Sequence, residues 1–402
     1  MKLDIGVAGA GTAGAAAALL LARDGHRVTL FERVPEPMPV GAGILLQPTG
    51  MAVLEQLGLL EKAASLGAKV YRLYGQNERG HRVMDMHYHD WRPDSFGLGI
   101  HRGALFTLLQ NPLASSGVDC RYGVNIVSVQ RRSAKVMLAD EGGQEVGAFD
   151  AVVAADGMRS QLRPASGLPA SVTPYPWGAI WAICEDRSGQ FDGVLGQRYR
   201  SAREMLGILP TGRLTQDGAP LVSLFWSLRS ADVAAWRAAV LDAWKRQLLS
   251  LWPELADLLA NIADTTQLRF ADYCDVRMPR WHGDGVVVIG DAAHATSPQL
   301  GQGANLALLD AWVLRNALAS CGSVAAALDT YAKNRRAHLR YYQWASRMLT
   351  PLFQSDRRLL PALRDMFMGV GGRLPYIRTQ SAETLAGTRT GILFGTLRLP
   401  GE

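Results

Sequence analysis

The N-terminal stretch Leu3–Glu32, LDIGVAGAGTAGAAAALLLARDGHRVTLFE, decides the fold of this 402-residue chain. Leu3–Ala8 is a short apolar run typical of a buried strand, and the alanine- and leucine-rich run Ala15–Ala22 favours a helix. Gly25 suits the end of that helix, and Val28–Phe31 predicts a second strand. The order strand, glycine-rich turn, helix and strand predicts an α/β fold that begins with a dinucleotide-binding unit.

Three glycines of the turn have the G-x-G-x-x-G spacing, and each serves a different purpose. Gly9 permits a tight turn, Gly11 lets the backbone approach a pyrophosphate, and Gly14 allows close packing of helix on strand. Ala13 lies at the helix N-terminus, where free N–H groups attract phosphate. Glu32 follows at the position of an acid that binds a ribose hydroxyl. The alternative is a packing turn in an unrelated α/β protein, and the motif does not separate FAD from NAD.

Composition excludes several classes of protein. The chain is 48% hydrophobic with a net charge of +6, which is typical of a globular protein and not of a disordered one. Its four cysteines form no C-x-x-C pair, which argues against a disulfide scaffold or a zinc site and predicts no bound metal. Residues 5–22 carry no charge, but four glycines interrupt the run. We therefore expect a cytoplasmic protein without a transmembrane segment.

The basic excess is concentrated near the C-terminus. Residues 325–380 hold ten basic and three acidic side chains, so the rest of the chain is close to neutral. We favour a helix pair packed on the fold with a solvated basic face, and the alternative is a surface that meets anionic lipid. No recognition motif supports a nucleic-acid partner. The ten basic residues are Lys333, Arg335, Arg336, Arg340, Arg347, Arg357, Arg358, Arg364, Arg373 and Arg378.

Two later segments contain the same kind of strand and glycine turn. Asp150–Arg163, DAVVAADGMRSQLR, predicts a strand that ends at Asp156 and a glycine. Gly285–Leu318 predicts a strand that ends at Gly290-Asp291, followed by a glycine-rich turn and a long helix. The N-terminus of that helix would place N–H groups against an acceptor such as the negatively charged edge of a reduced flavin. Asp291 suits a sugar-like hydroxyl such as flavin ribityl.

At this point the chain resembles the single-component, class A FAD-dependent monooxygenases, which include p-hydroxybenzoate and salicylate hydroxylases. The resemblance runs from residue 1 to about 345 and rests on motifs that occur in the family's order. They are GAGTAG with Glu32-Arg33, GAGI at Gly41–Ile44, HRGAL at His101–Leu105, ADGMRS at Ala155–Ser160, and GDAAH with P-x-x-G-x-G-x-N at Gly290–Asn305. One departure is Pro48-Thr49, where the family usually has Pro-Asn.

The resemblance implies a set of FAD-binding residues. Glu32 would hold the adenosine ribose and Asp291 the ribityl chain. In the family, the segment that begins at Asp156 is associated with both FAD and the nicotinamide cofactor. The full set of expected cofactor-binding residues is Gly9, Gly11, Ala13, Gly14, Glu32, Arg33, Gly43, Arg102, Val124, Asp156, Asp291, Gly303, Ala304 and Asn305.

The resemblance also implies how the chain is divided. We expect a Rossmann-type FAD-binding domain formed by residues 1–69, 98–175 and 270–324. An inserted β-sheet substrate-binding domain would comprise residues 70–97 and 176–269, and residues 325–402 would form a C-terminal helical segment. Strands are predicted at Trp177–Cys184, Gly193–Tyr199, Glu204–Leu209 and Leu221–Leu228, with a turn at Pro210–Gly212 and a helix over Ala231–Leu259.

Candidate catalytic residues lie in this insertion and after the GDAA motif. Alternation along Val194–Arg200 places Arg198 and Tyr199 on opposite faces of a strand. Either could polarise a phenolate-type substrate. His294 could act as a general base, although a structural role is favoured, and Pro298 would shape the flavin pocket. Five aromatic residues could line a cavity or fill the sheet core, namely Trp177, Trp181, Tyr199, Phe225 and Trp226.

The function implied by the resemblance is hydroxylation of an aromatic or electron-rich ring. NADH or NADPH would reduce FAD, O₂ would add at flavin C4a, and the resulting hydroperoxide would transfer oxygen to a small aromatic or lipophilic ring substrate. The protein is expected to be a monomer or homodimer. Two alternatives remain open. One is a flavin-dependent dehydrogenase or oxidase without oxygen insertion, and the other is a flavin-binding homologue without catalysis.

Overall fold

A computed structural model describes residues 1–38, 41–357, 359–371 and 374–402. Arg358 and Arg373 of the basic segment therefore lie outside the described residues. The strands formed by these residues are β1 (Asp4–Ala8), β2 (Arg27–Glu32), β3 (Gly43–Leu46), β4 (Ala68–Asn77), β5 (Arg82–His87), β6 (Gly97–His101), β7 (Asp119–Tyr122), β8 (Ile126–Arg132), β9 (Lys135–Asp140), β10 (Glu145–Phe149), β11 (Ala151–Ala154), β12 (Ser171–Pro174), β13 (Trp177–Glu185), β14 (Gly193–Arg200), β15 (Glu204–Gly212), β16 (Leu221–Arg229), β17 (Arg269–Ala271), β18 (Cys274–Arg277), β19 (His282–Gly283) and β20 (Val286–Val288).

The helices of the described residues frame these strands. They are α1 (Thr12–Arg23), α2 (Pro48–Gln56), α3 (Leu60–Leu66), α4 (Arg102–Gln110), α5 (Leu162–Ala165), α6 (Val233–Ala238), α7 (Leu241–Leu251), α8 (Ala256–Ala260), α9 (Asp291–His294), α10 (Gly303–Ser320), α11 (Val324–Phe353), α12 (Leu359–Gly371) and α13 (Pro375–Ala386).

A six-stranded sheet carries the predicted dinucleotide-binding unit. Its strand order is β19-β20-β11-β1-β2-β7, and all neighbours are parallel except β19 and β20. The uncharged N-terminal run forms β1 and α1, and α1 packs against α10 on one face of the sheet. A three-stranded antiparallel sheet, β8–β10, packs on the other face, where a Cβ added to Gly6 would meet Phe149 and Leu138. This is a Rossmann-type α/β arrangement.

A second sheet of nine strands has two faces with different surroundings. Its path is β17-β13-β16-β15-β14-β4-β6-β3, with β5 paired to β4. Side chains such as Ile180, Leu206 and Leu224 pack against α7 and α8 on what we call the outer face. On the opposite, inner face, Leu209 packs with Leu45 of β3 and Leu385 of α13. The C-terminal helices therefore cover the inner face.

The predicted elements differ from the structure in two places. The chain does not turn at Pro210–Gly212, because β15 continues to Gly212 in a pairing with β16 that contains a bulge. The predicted helix Ala231–Leu259 is broken into α6, α7 and α8, with extended backbone at Ala239 and a proline at Pro253. Strand β3 and most of β6 fall in the segments predicted for the FAD-binding domain, yet they pair within the nine-stranded sheet. The proposed division into domains stays a prediction.

The basic C-terminal segment forms α11 and α12 and the first residues of α13. Arg335 and Arg364 are fully buried, whereas other described arginines of this segment lie at the surface. In the part of the chain that the structure describes, every helix is too short or too polar to cross a membrane.

Candidate functional site

The glycine turn after β1 has an open groove. Gly9 has a φ of +98°, and a Cβ there would lie 2.4 Å from the carbonyl oxygen of Ala155. A Cβ on Gly14 would lie 1.8 Å from the carbonyl oxygen of Gly9. By contrast, a Cβ on Gly11 would meet nothing within 4 Å among the described residues. The first and third glycines thus serve close packing, and the second leaves room for a bound group at the N-terminus of α1.

The carboxylate of Glu32 lies beside this turn. Its Oε2 accepts a hydrogen bond from the backbone N–H of Ala10 at 2.8 Å, and its Oε1 accepts one from Val34 at 3.0 Å. The N–H of Val124 donates to the carbonyl of Glu32 at 3.0 Å, which joins another predicted contact residue to the same edge. Arg33 is exposed, and Ala13 is buried in the first turn of α1. The ribose-binding role of Glu32 stays a prediction.

A second group of predicted residues meets at the β3–β6 edge of the nine-stranded sheet. A Cβ on Gly41 would lie 2.6 Å from Cδ of Arg102, so that arginine packs directly on the GAGI segment. The N–H of Arg102 donates to the carbonyl of Ala42 at 3.0 Å. The N–H of Gly43 donates to Oγ of Ser223 at 2.6 Å, which seats the segment on the inner face of the nine-stranded sheet.

Asn305 fastens this segment to the glycine loop that precedes α10. Its Oδ1 accepts a hydrogen bond from the N–H of Gln47 at 2.8 Å, and its Nδ2 donates to the carbonyls of Leu45 at 3.1 Å and Gly301 at 3.0 Å. Asn305 is therefore a buried clamp between two loops. The loop itself needs Gly301, whose φ of +61° favours glycine.

The geometry fits FAD. Gln47 Nε2 is buried without a hydrogen-bond partner among the described residues, and a Cβ on Gly301 would lie 3.8 Å from it. A Cβ on Gly303 would lie 3.8 Å from Oδ1 of the exposed Asp291. The spare donor and the positive N-terminus of the 18-residue helix α10 suit a flavin ring, and the open groove at Gly11 suits a pyrophosphate.

Asp156 lies at the end of β11, next to Gly9. Its Oδ2 accepts hydrogen bonds from the N–H groups of Gln161 and Leu162, at 2.8 and 3.1 Å. Arg163 of the same segment is buried and donates to the carbonyl of Ala292 at 2.8 Å. The predicted segment is thus tied to the GDAA turn, and its contact with a cofactor stays a prediction.

His294 contacts a buried charge network that sequence reasoning missed. His294 Nε2 lies 2.6 Å from Oδ2 of Asp310, which also accepts the N–H of Gly290 at 2.8 Å. Nε of Arg335 donates to the other oxygen of Asp310 at 2.7 Å. Burial by itself raises the pKa of Asp310, but His294 and Arg335 reverse this and lower it well below its usual range. The signal was a single aspartate inside the apolar helix sequence ANLALLDAW.

The network extends through His338 of α11 to Gly387 at the end of α13. Nη1 of Arg335 donates to Nδ1 of His338 at 2.9 Å, and Nε2 of His338 donates to the carbonyl of Gly387 at 2.6 Å. The first contact requires the neutral imidazole, because a protonated Nδ1 could not accept the hydrogen bond from Arg335. Burial, and next the charge of Arg335, lowers the pKa of His338 to about 3.

Acid should destabilise the protein through His338. Between its folded pKa of about 3 and the ordinary value of 6.5, the unfolded state binds a proton that the folded state does not. The free energy of unfolding should therefore fall, by up to about 1.4 kcal/mol per pH unit, as the pH drops through this window. We expect His338→Gln to flatten the slope, measured by urea unfolding between pH 7 and 5. The exposed control His81→Gln should keep it, and equal slopes in His338→Gln and the unsubstituted protein would contradict the assignment.

The remaining catalytic candidates lie apart. The guanidinium of Arg198 lies over the ring of Trp252, 4.4 Å from its centroid, on the outer face. Tyr199 is fully buried on the inner face, and its hydroxyl donates to Gln197 Oε1 at 2.6 Å. Pro298 starts the short 3₁₀ turn just before the α10 glycine loop. Of the five aromatic residues considered, Trp181 and Phe225 are partly exposed, and the others are buried.

Comparisons with known proteins find relatives over most of the chain. A family model described as "FAD binding domain" matches residues 2–343. The chain is 30% identical over 357 residues to a kynurenine 3-monooxygenase of Salinispora arenicola, covering 83% of this chain and 76% of the relative. It is 29% identical over 336 residues to a probable 2-heptyl-3-hydroxy-4(1H)-quinolone synthase of Rhodococcus erythropolis, covering 82% and 83%.

A solved structure shares the fold. A Klebsiella pneumoniae protein in complex with FAD and uric acid superposes with a TM-score of 0.80 at 20% identity, covering 95% of this chain and 97% of that one.

Proposed function

The chain belongs to the FAD-binding domain family, and from this premise we propose that it is an FAD-dependent monooxygenase that hydroxylates an aromatic or electron-rich ring. NADH or NADPH is the proposed electron donor. Among its relatives are proteins named as monooxygenases or hydroxylases of kynurenine, 6-hydroxynicotinate and 3-hydroxybenzoate. These names support a ring substrate.

One observation carries the proposal. The Asn305 clamp holds the N-terminus of α10 beside the GAGI segment, and this segment rests on the inner face of the nine-stranded sheet through Ser223. On that face Trp181 and Phe225 stay partly exposed although they belong to interior strands. A flavin ring at the α10 N-terminus would therefore face an aromatic surface.

The chain's own residues have separate proposed tasks. Gly11 and the N-terminus of α1 receive the pyrophosphate, Glu32 binds the ribose, and Asp291 binds the ribityl chain. Backbone N–H groups of Gly303–Asn305 stabilise negative charge on the ring, since a helix N-terminus carries partial positive charge. FAD, when bound, supplies the redox chemistry that activates O₂. The nine-stranded sheet and the C-terminal helices exclude water from the reacting atoms.

The proposed function predicts ring-dependent consumption of reduced nicotinamide. Purified protein should be yellow, and NADH or NADPH oxidation with O₂ should accelerate with at least one member of an aromatic panel. With ¹⁸O₂, mass spectrometry should show one ¹⁸O atom in the product. An unlabelled product would favour a dehydrogenase or oxidase. Bound FAD without nicotinamide oxidation for any ring would favour a non-catalytic homologue, and either result would overturn the proposal.

A further inference from the structure

The inner face of the nine-stranded sheet has a cross-strand row of residues with an unusual composition. Paired positions run from Trp181 through Phe225, Gly207 and Gln197 to Gly75. Because opposite residues of a sheet point to the same face, all five belong to the inner face. These five residues are two aromatic residues, one amide and two glycines, and none of the five is charged; Arg269 of the edge strand β17 continues the row beyond Trp181.

The row lies between two apolar clusters. On one side, Leu45, Leu209 and Leu385 pack together next to the GAGI segment. On the other, Tyr199 packs with Phe353 at the end of α11. Leu195 and Ser223 lie in the next cross-strand row toward the GAGI segment, two residues along their strands from Gln197 and Phe225. Two residues of a strand span about 7 Å, roughly the width of an aromatic ring.

Gly207 provides a floor without a side chain at the centre of the row. A Cβ there would meet nothing closer than Cγ of Gln197, at 3.6 Å. Phe225 and Gln197 flank this floor, and both are partly exposed. A flat ring placed on Gly207 would contact an aromatic side chain at one edge and an amide at the other.

Tyr199 fixes the orientation of that amide. Its ring leans over Gly75, where a Cβ would lie 2.7 Å from Cε2 of Tyr199. Its hydroxyl donates to Gln197 Oε1 at 2.6 Å, and burial raises the pKa of Tyr199 so that it remains a donor. The Gln197 Nε2 group has only Met205 Sδ, at 3.9 Å, as an acceptor among the described residues. One amide N–H therefore has a free direction.

We propose that Gln197 selects ring substrates that carry a carbonyl or phenol oxygen, through a hydrogen bond donated by its Nε2, and that Tyr199 is the positioning residue that aims this donor. The assignment deepens the proposed monooxygenase function and rests on it. Arg198, the arginine between these two residues, lies on the outer face over Trp252. Arg229, which lies two residues along β16 from Ser227, forms an ion pair with Asp356, with its Nη1 3.4 Å from Oδ2. Exposed Arg269 ends the row on the edge strand.

The test compares two bicyclic probes, 4-quinolone, which has a carbonyl oxygen and a ring N–H, and naphthalene, which has neither. Dissociation constants are measured by calorimetry on the oxidised, FAD-loaded protein, without nicotinamide or turnover. We expect 4-quinolone to bind about tenfold more tightly than naphthalene, since a directional hydrogen bond contributes roughly this factor. Gln197→Leu should abolish the preference. Gln76→Leu, a glutamine on the outer face of the adjacent strand, should keep it.

Tyr199→Phe should weaken 4-quinolone binding about threefold and should have no further effect in the Gln197→Leu background, because it acts through Gln197. Equal preference in the unsubstituted protein and Gln197→Leu, additive effects of the two substitutions, or failure of 4-quinolone to bind would each overturn the assignment. Because no turnover is involved, these results are separate from the nicotinamide oxidation assay. If no ring compound stimulated nicotinamide oxidation in that assay, the result would contradict only the proposed function.

Discussion

Replacing Asp310 with asparagine should lower the free energy of unfolding by about 3–5 kcal/mol. The substitution keeps the shape but removes the charge that balances Arg335, and breaking a buried ion pair by removing one partner costs about this much. It also turns one acceptor into an NH₂ group that faces donors at Gly290 and His294. Since a folded protein is stable by only about 5–15 kcal/mol, the loss is a large share of the total.

Urea unfolding followed by tryptophan fluorescence measures this effect. The matched control is Asp329→Asn on α11, because the side chain of Asp329 is 77% exposed. We expect the control to remain within about 0.5 kcal/mol of the unsubstituted protein. A soluble Asp310→Asn protein as stable as the control would show that the network contributes little.

Alanine at two glycines that lie three residues apart should change two different properties, FAD affinity in one case and stability of the apoprotein in the other. Gly11→Ala should leave the apoprotein as stable as before, because its Cβ meets no protein atom within 4 Å among the described residues. It should weaken FAD binding by about 100-fold, or roughly 2.7 kcal/mol, since the methyl group occupies the approach to the pyrophosphate. Gly14→Ala should destabilise the apoprotein itself by about 1–3 kcal/mol, because its Cβ would lie 1.8 Å from the Gly9 oxygen.

Two measurements distinguish these outcomes. Thermal unfolding of FAD-free protein reports the packing effect, and quenching of FAD fluorescence on titration reports the dissociation constant. Gly322→Ala, between α10 and α11, is the control, because a Cβ there also meets nothing within 4 Å among the described residues and its φ is not in the left-handed region. Unchanged FAD affinity in Gly11→Ala would remove the second glycine from the cofactor site.

The local pattern of the sequence was enough for the parallel core. Leu3–Ala8, the glycine turn and Val28–Phe31 lie where the periodicity and glycine spacing predicted, because each signal is contained within a few residues. The course of β15 through Pro210 was not predictable, since pairing with β16 overrides the turn preference of Pro-Thr-Gly. Contacts such as Asp310 with Arg335 join residues far apart along the chain, and only the fold places them together.

The row around Gln197 shows the same limit. Alternation correctly separated Arg198 from Tyr199, but it could not show that Gly207, on another strand, leaves space beside Gln197, or that Gly75 makes room for the ring of Tyr199. Cross-strand neighbours depend on register, which a single strand's sequence does not fix.

The contacts of the last helix have a consequence for how such proteins diversify. The family match ends at residue 343, yet the carbonyls of Thr384, Leu385 and Gly387 accept hydrogen bonds from Gln302, Tyr342 and His338. A gene fragment cut at the end of the match would lose these carbonyls and Leu385, which packs on the inner face of the nine-stranded sheet. Exchange of the tail between related genes would therefore change both the covering of the inner face and the support that the α10 glycine loop receives through Gln302.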